Sequence, residues 1–137
     1  MEPWHSEIVE LHEFFERYYL GDIGADDVGR LEAALASDFT IVAPGGAESS
    51  RAQTIAAIRG GHAHTSRFTI SIVDARLLAE SPDLLVARYV EHQETADSVT
   101  DRLSTVVFSR APDAPNGLRW RTVHETWLPT ARRSDTP

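Results

Sequence analysis

Cysteine and lysine are both missing from the 137 residues, and no long apolar run occurs. Without cysteine there is no disulfide, no thiolate nucleophile and no thiolate metal site. Without lysine no Schiff base can form on the chain, and all thirteen basic residues are arginine. No stretch approaches the roughly 18 apolar residues of a membrane span. Met1-Glu2-Pro3-Trp4 carries no basic segment leading into an apolar one, so no signal peptide is expected and the cytoplasm is the expected compartment. Basic residues are outnumbered as well: the formal net charge is -8, which speaks against nucleic acid or an anionic membrane as partner. Glycine-rich phosphate loops and dinucleotide fingerprints are lacking, so no cofactor is expected.

What is present describes a globular chain. Hydrophobic residues make up 42% and charged residues 25%, and the length suits one domain over 1–137. Trp4, Ile8, Leu11, Phe15 and Tyr18 recur at steps of four and three, which predicts a helix from about Pro3 to Leu20, with Gly21 as its stop. Glu7, Glu10, Glu13 and Glu16 stay largely off that stripe. Val28, Leu31 and Leu35 predict a second helix from about Asp27 to Ala36, capped by Asp26 or Asp27. Phe39 to Ala43 reads as a short strand turned by Pro44-Gly45-Gly46, with a return beginning near Ala47. Ser50 and Gln53 form a capping-box pattern that opens a third helix, ended by Gly60-Gly61. Strands alone follow, at about 67–79, 84–95, 100–110 and 118–128. Residues 131–137 read as a frayed tail.

Helices first and a long meander last give an α+β fold, with three helices covering one face of an antiparallel sheet. A strongly curved sheet would enclose a cone with them. Its other face must then be solvated or paired with a second subunit.

The order helix–helix–strand–helix–meander, with Asp38 to Gly46 and then Leu118 to Trp127, resembles the nuclear transport factor 2-like superfamily over about residues 6–129. Within it the chain is similar to small bacterial proteins grouped with the SnoaL-like polyketide cyclases and the association domain of calcium/calmodulin-dependent kinase II. Trp120-Arg121-Thr122-Val123-His124 looks like the tryptophan–x–x–valine–histidine end of that association domain, where a second histidine follows two residues on; here that residue is Thr126. The resemblance implies a cystatin-like cone, an internal pocket and a dimer through the sheet. It also implies mixed functions: isomerases, dehydratases, cyclases, binding modules and oligomerisation domains.

Several side chains are candidates for a site. Period-two alternation puts His124 on one face with Trp120, Thr122 and Thr126, where it would act as a base or donor, or else stay a structural histidine. Glu91 shares a face with Tyr89; in a dry cone its pKa would be raised, which suits proton transfer, and otherwise it pairs with an arginine. Leu85, Ala87 and Tyr89 suit the inner face, and so do Leu84, Val86 and Val90, which favours a homodimer through the outer one. An inward Arg102 would attract an anion; otherwise it pairs with Asp101 or Glu91. Phe15 and Tyr18 on the first helix are expected at the cavity, with the Tyr18 or Tyr19 hydroxyl inward. His5 and His12 are expected in solvent. His62-Ala63-His64 reads as a mobile loop rather than a metal site, and no metal is expected.

Three functions compete. A homodimeric pocket protein binding a small organic ligand ranks first. A general acid/base isomerase, dehydratase or cyclase, using Glu91 or His124 with a tyrosine at the oxyanion, ranks second. A pure association module ranks third.

Overall fold

The computed structural model describes residues 1–129; the tail expected at 131–137 lies outside them. The elements in order are α1 (Pro3–Leu20), α2 (Gly29–Ala34), β1 (Leu35–Val42), β2 (Glu48–Ser50), α3 (Arg51–Gly60), β3 (Phe68–Glu80), β4 (Leu84–Thr95), β5 (Val99–Arg110), a 3-10 turn (Pro115–Gly117) and β6 (Leu118–Trp127). Six strands form one sheet in the order β2-β1-β6-β5-β4-β3. All neighbours are antiparallel except β1 and β6, which run parallel and make the sheet mixed. The α+β cystatin-like architecture is therefore present, with α1 packed on a curved sheet.

α1 keeps the expected bounds. Pro3 sits in its first turn, and Gly21 ends it in the left-handed region at φ 79°, where a Cβ would also lie 2.8 Å from that of Ala63. The second helix is shorter than expected. Val28 occupies its cap without a side-chain hydrogen bond, and Leu35 already enters β1, because its backbone pairs with Trp120 of β6. α3 carries the full capping box: Gln53 N donates to Ser50 Oγ, and Ser50 N donates to Gln53 Oε1.

Two irregularities shape the sheet. β3 loses register with β4 between Val73 and Arg76 and again between Leu77 and Ala79, with Asp74 at φ 54°. In β6 Trp120 pairs with Phe108 and Thr122 with Val107, so Arg121 is an extra residue. Bulges of this kind bend a strand and sharpen its twist. They curve the sheet toward the helices.

The core lies between the inner sheet face and the helices. Ile8, Tyr18, Leu31, Ala87, Tyr89, Val106, Phe108 and Trp120 are all buried in it. Glu7 is a departure from the expected polar face of α1: it is fully buried. Its carboxylate accepts from Arg30 Nη2 at 2.6 Å and Nη1 at 3.1 Å, from Asn116 Nδ2 at 3.0 Å and from Trp120 Nε1 at 2.9 Å. Four bonds satisfy the buried charge and tie α1 to α2, the 3-10 turn and β6.

Candidate functional site

Between α1, α3 and the inner sheet face lies a cavity of about 680 Å³. Leu11, His12, Phe15 and Tyr19 face it from α1, at the three- and four-residue steps of one helical face. Ile58 closes it from α3, and Phe39, Ile41, Phe68 and Ile70 add apolar wall from β1 and β3. Polar groups concentrate where β4, β5 and β6 present Glu91, Gln93, Arg102 and Glu125.

His12 and Glu91 form the centre of that polar group. His12 is 4% exposed and Glu91 5%. His12 Nδ1 bonds to the Ile8 carbonyl at 2.7 Å, and Nε2 meets Glu91 Oε1 at 2.9 Å. A carbonyl only accepts, so Nδ1 carries a proton. A second proton must lie between Nε2 and the carboxylate. Phe15 and Tyr89 pack edge-on against the imidazole, each with its centroid 5.4 Å away. Burial alone would push the His12 pKa down, but the Glu91 charge and the bonds to Glu91 and Ile8 outweigh it and raise it above 6.5. Burial would likewise push Glu91 up, yet His12, Arg102 and Gln93 hold it below 4.5. The raised Glu91 pKa expected from a dry cone is thus reversed by a partner on α1.

Arg102 links this pair to Glu125. Its Nη1 donates to Glu125 Oε1 at 3.1 Å, and its Nε stands 3.8 Å from Glu91 Oε2 without a hydrogen bond. The guanidinium also lies 4.8 Å from the Trp127 ring centroid, a cation–π contact. Burial raises the Glu125 pKa above 4.5; Arg102 opposes this and Glu91 adds to it. Gln93 Nε2 donates to Glu91 Oε2. Tyr19 is held by Phe15, His64 and Phe68 around its ring, and its hydroxyl makes no hydrogen bond among the described residues. Burial pushes its pKa up to about 12, with Glu91 adding to the effect.

Of the side chains expected around the cavity, Phe15, Tyr89, Glu91, Arg102 and Trp120 border it, and Tyr18 and His124 do not. Tyr18 is fully buried and its hydroxyl donates to the Ala25 carbonyl at 2.7 Å, one helical step away from the cavity face that Tyr19 occupies. His124 is exposed on the outer face. The bulge at Arg121 is the cause: it breaks the period of two, so Trp120 faces inward together with Val123 and Glu125, and His124 turns out. His12, expected in solvent, is the buried partner that the sequence reading missed. Its signal was faint: Ile8, Leu11, Phe15 and Tyr19 flank it on one helical face. Glu125 was missed through the same parity error that favoured His124.

The His62–His64 turn is held in place: His62 Nε2 bonds to the Ile23 carbonyl at 2.6 Å and its ring packs on Tyr18. Among the described residues no group of three or more His, Cys, Asp or Glu is arranged to hold a metal ion. No helix among them is long and apolar enough to cross a membrane.

The family model for the sucrose-6-phosphate phosphohydrolase C-terminal region matches residues 4–129. A structure of an NTF-2 like protein of unknown function from Pseudomonas aeruginosa is similar with 30% identity and a TM-score of 0.85, covering 92% of this chain and 98% of that one. A proposed dehydratase of the NTF2-like family from Streptomyces avermitilis shares 17% identity at a TM-score of 0.63, with 86% and 89% covered. The CaMKII hub of S. rosetta shares 12% at 0.65, with 74% and 82% covered. The last two show likeness of fold alone. No curated protein matches the chain.

Proposed function

Because the chain belongs to the sucrose-6-phosphate phosphohydrolase C-terminal family and the nuclear transport factor 2-like superfamily, whose members differ in activity, we propose its function from its own cavity: it binds a small organic molecule there. One observation carries the reading. An apolar cavity of about 680 Å³ receives four ionisable side chains at one end, which is the composition of a small-molecule site. In a plain hydrophobic core, four such groups would cost stability without return. A fragment screen followed by amide NMR tests it. Binding is expected to shift resonances of Phe15, Tyr19, Ile58 and Val123 together. Shifts scattered over the surface, or none, would refute it.

A second reading is favoured by the same polar end: a general acid/base enzyme of the isomerase, dehydratase or cyclase type. The carboxylate with the raised pKa, Glu125, is the stronger base, because Glu91 is already committed to His12. Glu125 would take a proton from the carbon next to a carbonyl, and the Tyr19 hydroxyl would donate to the enolate oxygen. Deuterium exchange into simple ketones, abolished in Glu125→Gln, is the outcome that supports it. Exchange at the uncatalysed rate would rule it out.

A further inference from the structure

The charge of the ligand can be read from the proton and charge inventory around the cavity, an inference that rests on the binding reading above. The geometry points to an uncharged ligand with an apolar body and one hydroxyl or carbonyl group, seated with that group among Tyr19, Arg102 and Glu125.

The first part of the inventory is the His12–Glu91 pair. Both imidazole nitrogens face acceptors, so two protons are shared among the ring and the carboxylate. The pair is electrically neutral whether the second proton sits on nitrogen or oxygen. Each of its polar atoms also has a partner: Glu91 Oε2 accepts from Gln93, and Oε1 and both ring nitrogens are engaged. The second part is Arg102 with Glu125. Arginine stays charged, and an ionised Glu125 at 3.1 Å balances it. The other ionisable histidine at the cavity, His64, lies exposed on the turn after α3 and bonds to the Gly61 carbonyl. The buried polar end therefore presents no net charge.

An ion entering such a site would give up its hydration and meet no unpaired counter-charge. A neutral polar group meets open bonding positions instead. Among the described residues the Tyr19 hydroxyl has no hydrogen-bond partner and Glu125 uses only Oε1. Those groups offer a donor and an acceptor to a hydroxyl, or a donor to a carbonyl.

Calorimetry at neutral pH with three probes of one ring tests this: naphthol, naphthoate and naphthylmethylammonium. Naphthol is expected to bind at least about tenfold tighter than either ion. Glu125→Gln removes the charge that balances Arg102, so naphthoate should gain about tenfold; Arg102→Gln should instead favour the ammonium probe. Tighter binding of either ion by the unaltered protein would overturn this inference and leave the binding reading standing. An unchanged ranking in both folded variants would overturn it too. Binding of none of the three at their solubility limits would overturn both.

Discussion

His12 and Glu91 depend on each other, and their shifts have opposite signs. Glu91 releases its proton more readily in the folded chain than its ordinary 4.5, so its contribution to stability is complete above that value and is lost as pH falls through the lower folded pKa. His12 holds its proton above its ordinary 6.5, so its contribution is complete below that value and is lost as pH rises through the higher folded pKa. Stability should form a plateau between these limits and decline on both sides. Glu91→Gln is expected to cost about 3–5 kcal/mol on the plateau, since it strands a buried imidazole, and to remove the alkaline decline. Urea melts across pH check this; an alkaline decline that persists in the variant would contradict it. Glu7→Gln is expected to cost less, about 1.5–3 kcal/mol, because the Arg30 left behind is only partly buried and keeps Glu10. Neither buried acid–base contact was legible in the sequence. Glu7 and His12 are polar residues on an amphipathic helix, and what buries them is a partner 23 or 79 residues away.

At the scale of elements, the sequence carried whatever local chemistry decides. α1 could be read from its stripe and its glycine stop, and α3 from Ser50 and Gln53. The strands of the meander could be read from their turns. The bulge in β6 could not, because nothing in Trp120-Arg121-Thr122 marks an extra residue; the pairing with Phe108 and Val107 creates it. That single residue decides which of His124 and Glu125 reaches the cavity. α3 also sets a side chain on α1. A Cβ on Gly61 would stand 2.9 Å from the Tyr19 ring, while its backbone at φ -96° accepts any residue. Gly61→Ala is therefore expected to displace Tyr19 and weaken naphthol binding several-fold, with a stability loss of only about 1–2 kcal/mol. Unchanged affinity in that variant would mean that the Tyr19 ring does not shape the site.

The whole molecule has two sheet faces with different fates. The inner one packs on helices. On the outer one Val86, Val90, Leu103 and Val107 are half-buried among polar neighbours, and Leu84 is 39% exposed. A homodimer through this face, proposed from the both-face apolar strands, predicts twice the chain mass by light scattering at micromolar concentration and a monomer for Val107→Glu. A monomer in both would remove the dimer and the pure association reading, and would leave the cavity untouched. The helices-first, meander-last order made the cone legible from the start, because it is a consequence of element order and twist. The contents of the cone depended on long-range pairing. Soaking crystals with naphthol tests the central claim most directly. The ring is expected in density inside the cavity, against the Phe15 and Tyr19 rings, with its oxygen within hydrogen-bond distance of Tyr19 or Glu125. Side chains closed over the space, with naphthol bound elsewhere, would contradict it.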